Sequence, residues 1–196
     1  MIQTEKELEK RKLLIRTTYK LIAEFGFSNI TLQDVADKAG VSKGIILYYF
    51  ENKDELFASL LEWLVKKIES NIRVEVSKAE TPMDKVKAYL NSTFFGVKEN
   101  REFYKVYLDF LSQSAHHDTL RKSNVYFYNQ CRQIQTQLIK EGIESKVFRD
   151  VDMEESCIVF RSLIDGLNIR WLFDDPERFE FYRQAALNTI LAYLKV

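Results

Sequence analysis

Apolar residues recur every three or four positions along most of the chain, which is the spacing of amphipathic helices. The pattern predicts a first helix from about Thr4 to Phe25, ended by Gly26, and a long helix from Asp54 to about Ser77. Between them, residues 30–50 fit two short helices joined by a tight turn. Further helices are predicted near residues 83–99, 102–115, 118–141, 152–173 and 177–194. The pattern therefore predicts an all-α fold.

The composition agrees with long helices. Glycine and proline, the residues that punctuate most turns, number only six and two in 196 residues, which argues against an all-β fold. Basic and acidic residues balance at 29 each, so no overall positive field indicates a nucleic-acid partner. Any DNA affinity would have to come from the local placement of charge and from backbone amides.

The two cysteines and the lack of long apolar segments indicate the cellular compartment of the protein. Cys131 and Cys157 lie far apart in apolar helical stretches, where we expect buried, reduced thiols. The N-terminal segment MIQTEKELEKRK has no apolar signal core, and no apolar run reaches the length of a membrane span. The sequence predicts a soluble, cytoplasmic protein without a disulfide.

Residues 31–50 carry the most specific pattern in the chain. Thr31 can cap a helix, with Asp34 three residues on completing a capping box. Gly40 can end that helix in a left-handed conformation, and Ser42 can cap the next helix, whose first residues then face outward. Ala36 is small where two helices must cross closely. This is the arrangement of a DNA-reading helix-turn-helix.

Residues 31–57 resemble the signature of the TetR family of bacterial transcription regulators. The resemblance rests on Ala39-Gly40-Val41-Ser42, on Lys43-Gly44, on Tyr49-Phe50 and on the run from Asn52 to Phe57. It implies an all-α fold with a three-helix helix-turn-helix DNA-binding domain (residues 1–56) followed by a helical ligand-binding and dimerisation domain (57–196). It further implies a homodimeric repressor that binds a near-palindromic operator in double-stranded DNA and is released by a small-molecule effector.

The resemblance also implies which residues contact DNA. Those expected in the major groove are Lys43, Gly44, Ile45, Leu47 and Tyr48, and those expected at phosphates are Thr31, Ser42, Tyr49 and Lys53. Physical chemistry agrees, because Ile45 and Leu47 can meet only apolar base features such as a thymine methyl. Ile45, Leu47 and Tyr48 depart from the residue types frequent in the family, so the family's operator sequences do not transfer.

Aromatic residues crowd the predicted second domain. Most are expected to pack in the core, and a pocket for an apolar or aromatic effector is the alternative for a few of them. The predicted ligand contacts are Phe94, Tyr107, Phe110, Tyr128, Arg161 and Asn168. For Arg161 with Asp165, we expect an exposed ion pair one helical turn apart, with a ligand anchor as the alternative.

The resemblance implies that the last two helices pair with those of a second subunit. The apolar stripe expected to form this contact consists of Phe160, Ile164, Leu187, Ile190, Leu191 and Leu194.

Signals of catalysis are missing from the sequence. His116 and His117 are adjacent and point apart on any helix, so they cannot form a metal pair one turn apart. The scattered glycines make no phosphate loop, and no nucleophile has an evident base. We expect no enzyme activity, cofactor or metal. Two rival hypotheses remain: a helical ligand-binding or scaffold protein that does not bind operator DNA, and an enzyme.

Overall fold

The structure, a computed structural model, describes residues 5–195; Thr4, where the first helix was predicted to begin, lies outside them. In this range the α-helices are α1 (Glu5–Phe25), α2 (Leu32–Ala39), α3 (Lys43–Tyr49), α4 (Lys53–Ser77), α5 (Pro82–Thr93), α6 (Val97–Ser114), α7 (Asp118–Glu144), α8 (Met153–Leu172) and α9 (Phe179–Leu194). Short 3-10 turns precede α2 and α9. Between residues 5 and 195 the one β feature is an isolated bridge from Phe148 to Lys195. The all-α prediction is confirmed.

The break between α5 and α6 lies earlier than the sequence pattern indicated. We predicted it at residues 99–100, but the helices are separated at residues 94–96. Asn100 holds this break from within α6: its Oδ1 accepts from the Phe95 amide at 2.9 Å, and its Nδ2 donates to the Thr93 carbonyl at 3.3 Å. The buried side-chain amide replaces the helical partners that these backbone groups lose.

The contacts divide the chain into two compact units. The first contains the residues through Val65 together with Lys105–Val125, and the second contains Lys66–Tyr104 together with the residues from Tyr126 onward. Helices α4, α6 and α7 contribute residues to both units. The domain limits 1–56 and 57–196 stay a prediction.

The first unit packs α1, α2 and α3 around a small core of buried apolar side chains, which includes Leu14, Ile22, Val35, Ala36 and Ile46. Ala36 is fully buried, as expected of a small residue at a close helix crossing.

An aromatic stack extends this core to α6. The Phe27 and Phe57 rings stack with centroids 4.4 Å apart, and Phe110 meets Phe57 edge-on at 5.5 Å. The Phe27 amide donates to Asp109 Oδ2 at 2.7 Å. Residues of α6 therefore help to position the short helices at the start of the chain.

The second unit has its own core, to which α5, α8 and α9 contribute. Four residues of the stripe that we expected at a subunit contact lie inside this core: Phe160, Ile164, Ile190 and Leu194. That expectation is wrong for these four, because their side chains are already covered within one chain. Leu187 and Leu191 are partly buried against the same core.

No helix among residues 5–195 is long and apolar enough to cross a membrane.

Candidate nucleic-acid interface and effector site

The helix-turn-helix predicted from the sequence is present, and its turn is fixed by backbone and side-chain hydrogen bonds. The Asp34 amide donates to Thr31 Oγ1 at 3.2 Å while Asp34 Oδ2 accepts from the Thr31 amide at 2.7 Å, completing the capping box. The Thr31 hydroxyl also donates to Asp34 Oδ2, at 2.7 Å. This hydrogen bond, together with the one from the Thr31 amide, lowers the pKa of Asp34. Gly40 adopts the left-handed conformation (φ 65°, ψ 40°), and the Val41 amide donates to the Ala36 carbonyl at 3.0 Å. The Gly40 amide also donates to the Asp37 carbonyl, at 3.2 Å. Two closing hydrogen bonds of this kind are typical of a helix that ends at a glycine.

Ser42 occupies the N-cap position of α3, as predicted. Its side chain makes no capping hydrogen bond, so the predicted capping contact is absent. Gly44 follows within the first turn of α3. A Cβ built at Gly44 would have Ser42 Oγ as its nearest neighbour, at 3.7 Å. The backbone of this turn is therefore open on its outer side.

Helix α3 turns apolar side chains toward solvent. The exposed fractions of Ile45, Leu47 and Tyr48 are 39%, 48% and 70%, whereas Ile46 is fully buried and anchors the helix. Large apolar side chains left side by side in water usually mark a binding surface. Lys43, Thr31 and Ser42 are exposed as well, and Tyr49 is half-buried.

A contact that the sequence did not reveal holds the most exposed of these residues. The Tyr48 hydroxyl donates to Glu7 Oε1 of α1 at 3.2 Å, and this hydrogen bond raises the pKa of Tyr48. The two residues are far apart in the chain, so no local spacing could have paired them.

Lys53 lies at the first position of α4, between solvent and the aromatic stack. Its Nζ donates to the Phe27 carbonyl and sits 4.0 Å from the centroid of the Phe27 ring. Burial lowers the pKa of Lys53. A phosphate contact by Lys53 stays a prediction, and in the free protein its ammonium group is held by Phe27.

The predicted ligand-contacting aromatics are divided between the two units. Tyr107 and Phe110 lie buried in the first unit with their rings parallel and 6.5 Å apart. Phe94 lies in the core of the second unit against Phe179, and Tyr128 is more than a third exposed. Their role as ligand contacts stays a prediction.

Arg161 and Asp165, which we expected to form an exposed pair, are buried in the second unit with exposed fractions of 9% and 8%. The guanidinium binds both carboxylate oxygens, with Nε 2.8 Å from Oδ2. Its Nη2 also donates to the Tyr104 hydroxyl at 3.2 Å, and that hydroxyl donates to Asp165 Oδ1 at 3.1 Å. The Phe127 ring lies 5.4 Å from the guanidinium carbon. The exposed-pair prediction is wrong because the polar face of α8 is covered by aromatic side chains.

The charges of this cluster are well defined. Burial alone would lower the pKa of Arg161, but the attraction of the Asp165 carboxylate raises it well above its ordinary value. Burial raises the pKa of Tyr104, Tyr89 and Cys131. The phenols and the thiol are therefore uncharged at neutral pH, around one permanent cation.

Two buried amides border the cluster. Asn168 Oδ1 accepts from Asn100 at 2.7 Å, and its Nδ2 donates to the Ile164 carbonyl at 2.9 Å, so this amide has structural partners. Gln135 Nε2 donates to the Tyr89 hydroxyl at 2.9 Å, while Gln135 Oε1 has no hydrogen-bond partner among residues 5–195. Tyr104, Cys131 and Gln135 were not among the residues predicted for this site. The spacing of Cys131 and Gln135, one turn apart on α7, was the available signal.

No group of three metal-ligating side chains occurs in the part of the chain that the structure describes. An open depression of about 580 Å³ lies at the end of α8 and is lined by Gly166, Ile169, Arg170, Phe173, Asp174, Arg178 and Tyr182.

Two family models match the chain. Residues 14–60 match that of the bacterial regulatory proteins of the tetR family, and residues 82–195 match that of the BetI-type transcriptional repressor, C-terminal. A relative from Burkholderia thailandensis, an HTH-type transcriptional regulator BetI, is 28% identical over 162 residues, 82% of this chain and 80% of the relative. A BetI regulator from Stenotrophomonas maltophilia is 29% identical over 114 residues, 58% of each chain.

Solved structures agree with this assignment. A TetR transcription regulator from Haloarcula marismortui is 25% identical, with a TM-score of 0.86 and coverage of 96% of this chain and 100% of that one. A putative transcriptional regulator from Saccharomonospora viridis, in complex with choline, is 24% identical, with a TM-score of 0.88 and coverage of 96% and 99%. The chain belongs to the TetR family of bacterial regulators and is a transcriptional regulator of the BetI type.

Proposed function

We propose that the protein is a cytoplasmic repressor that binds a near-palindromic operator as a homodimer and is released by a small effector. The effector has an apolar or aromatic body and one or two polar groups. The observation that carries the proposal is the outward face of α3, where Ile45, Leu47 and Tyr48 are exposed on a helix that Gly40 and Ile46 hold in place. A groove of DNA would cover this face.

In this proposal, the α3 side chains read bases while flanking groups bind phosphates. Ile45 and Leu47 meet apolar base features, and Lys43 and Tyr48 supply polar contacts in the major groove. The open backbone at Gly44 allows a close approach. Thr31, Ser42, Tyr49 and Lys53 position the module on phosphates, which compensates for the neutral net charge.

The homodimer contact is proposed on the outer faces of α8 and α9. Ile158, Phe173 and Phe181 are 59%, 79% and 60% exposed, and Gly166 permits close approach of a neighbouring helix. The depression beside Phe173 has a volume of about 580 Å³, which would admit an aromatic side chain of a second copy. A two-fold axis through this face would repeat each contact, as isologous interfaces do.

Effector binding is proposed to act by shifting the population of dimer geometries. Helix α4 contributes to both units, so a tilt of α4 would change the spacing of the two recognition helices. An effector that weakens DNA binding must itself bind the DNA-bound dimer more weakly by the same factor. Choline in the Saccharomonospora relative supports a small-molecule role for this class of domain.

Footprinting of the DNA upstream of the protein's own gene tests the proposal. We expect two protected half-sites whose centres lie about one helical turn, or a multiple of it, apart, as for other dimeric helix-turn-helix proteins. Absence of protection at low salt would favour the rival hypothesis of a helical ligand-binding protein without operator binding.

A further inference from the structure

We infer that Glu7 of α1 is a specificity-determining residue of the DNA-reading face. By accepting the hydroxyl proton of Tyr48, Glu7 makes the Tyr48 oxygen an acceptor for the amino group of a base. Adenine N6 and cytosine N4 are the amino groups that the major groove presents. The inference rests on the proposed function, because it specifies how α3 reads operator DNA.

The position of Glu7 beside α3 is fixed by its own helix. One turn further along α1, Arg11 Nη2 donates to Ser59 Oγ of α4 at 2.8 Å. The Arg11 guanidinium carbon lies 4.9 Å from the centroid of the Phe50 ring, at the end of α3. Residues four positions apart lie on the same face of a helix. These contacts therefore hold Glu7 next to the last turn of α3.

The hydrogen bond between Tyr48 and Glu7 can run in one direction only. A phenol has a single O–H donor, whereas a carboxylate accepts hydrogen bonds and donates none. The Tyr48 hydroxyl therefore directs its proton at Glu7 Oε1, over 3.2 Å. This hydrogen bond raises the pKa of Tyr48, so the phenol keeps its proton at neutral pH. The lone pairs of the hydroxyl oxygen are then what Tyr48 offers to DNA.

An oxygen that offers lone pairs discriminates between the groups on DNA. Guanine N7 and O6, thymine O4 and the phosphate oxygens are acceptors, whereas the adenine and cytosine amino groups are donors. Tyr48 is 70% exposed on α3, so its oxygen is accessible to an amino group in the groove. The negative charge of Glu7 also disfavours a phosphate at this place, because like charges repel. The pair therefore favours adenine or cytosine over guanine, thymine and the DNA backbone.

Selection from a randomised duplex library with the purified full-length protein tests the inference. Wild-type protein should enrich adenine or cytosine at one position of each half-site, and Tyr48→Phe, which removes the acceptor, should relax that position. Replacing the selected adenine by purine, or the selected cytosine by 2-pyrimidinone, removes only the amino group. This replacement should weaken wild-type binding about threefold to tenfold for each lost hydrogen bond and should leave the affinity of Tyr48→Phe unchanged.

Two substitutions at Glu7 separate the orientation of the proton from the effect of charge. Glu7→Ala frees the hydroxyl proton of Tyr48 and should abolish the preference for the amino base. Glu7→Gln keeps an acceptor oxygen and should retain the preference, while binding scrambled DNA more tightly than wild type because a negative charge is removed. Glu24→Gln removes an exposed charge about 25 Å away along α1 and should change neither quantity.

The outcomes distinguish this inference from the proposed function. Enrichment of guanine or thymine at the position that depends on Tyr48, or the absence of any such position in an enriched operator, overturns the inference and leaves the proposed function intact. An unchanged preference in Glu7→Ala, or its loss in Glu7→Gln, does the same. If the wild-type protein enriches no sequence, the operator function is overturned and the base contact with it.

Discussion

At the scale of single residues, the two glycines of the helix-turn-helix have different physical roles. Gly40 has a positive φ of 65°, where a side chain adds strain even though the space around it is open. Gly44 is helical, and a Cβ there meets Ser42 Oγ at an ordinary contact distance of 3.7 Å. Gly40 is therefore needed for the fold of the turn, and Gly44 for the surface it presents.

We predict opposite effects of alanine at these two positions. Gly40→Ala should lower the free energy of unfolding by about 1–2 kcal/mol, the cost of a left-handed non-glycine residue. Gly44→Ala should leave that free energy unchanged or raise it by up to about 1 kcal/mol, while weakening operator binding because the new methyl group faces the groove. Denaturant titration and fluorescence anisotropy on one DNA fragment measure the two effects. A stable Gly40→Ala variant would exclude the strain argument.

The phosphate role of Lys53 predicts a change in salt dependence. Lys53→Ala should weaken binding to operator and non-operator DNA alike and reduce the log–log salt slope by roughly one unit. Lys98→Ala, which removes an exposed lysine of α6, is the control and should change neither quantity. An unchanged slope and affinity for Lys53→Ala would mean that Lys53 serves only to bind the Phe27 carbonyl.

Local chemistry explains which residue-scale features the sequence predicted. The capping box of Thr31 and Asp34 and the left-handed Gly40 depend on neighbours three or four residues away, so their pattern is sufficient. The spacing of Arg161 and Asp165 is the same in an exposed pair and in a buried one. Tyr104 helps to bury them, and because it is remote in the chain, no local sequence pattern could have predicted this contact.

At the scale of elements, the link between the first 3-10 turn and α6 is the contact to test. Asp109 Oδ2 accepts from the Phe27 amide at 2.7 Å, and a hydrogen bond to a charged group contributes about 1.5–3 kcal/mol. Asp109→Ala should lower the free energy of unfolding by an amount in this range. Asp118→Ala is the matched control, because its partner Arg121 is exposed and exposed ion pairs contribute at most about 1 kcal/mol. Equal effects of the two variants in thermal or urea unfolding would show that the link is dispensable.

Element boundaries were predicted where a breaker residue marks them. Pro82 begins α5 behind a Thr81 cap, one residue before the helix start expected near residue 83. The end of α5 was misplaced because the side chain of Asn100, and not a run of turn residues, holds the break. A polar side chain that substitutes for backbone partners leaves no trace in the hydrophobic spacing.

At the scale of the whole molecule, the proposed dimer face makes a prediction. Phe173→Asp or Phe181→Asp should place a charge in the apolar contact between copies and produce a monomer that loses operator binding. Val74→Asp, at a comparably exposed apolar side chain of α4, should leave the oligomeric state unchanged. Sedimentation velocity at micromolar concentration distinguishes these cases. A wild-type monomer under those conditions would contradict the dimer and the palindromic operator together.

Assembly was the level that the sequence predicted least well. An apolar stripe on α8 and α9 indicates burial but does not say whether the covering surface belongs to the same chain or to another. Phe160, Ile164, Ile190 and Leu194 pack within one chain, whereas Phe173 and Phe181, which belong to no regular stripe, are the exposed ones.

The central claim, that α3 reads a specific DNA sequence, is tested most directly by anisotropy titration of the protein with its footprinted operator and with a scrambled fragment at equal salt. We expect the operator to bind at least about a thousandfold more tightly than the scrambled fragment. We also expect Tyr48→Ala, at a side chain 70% exposed, to reduce this ratio without changing the free energy of unfolding by more than about 0.5 kcal/mol. Equal affinity for the two fragments, or a ratio unaffected by Tyr48→Ala and Leu47→Ala, would contradict it.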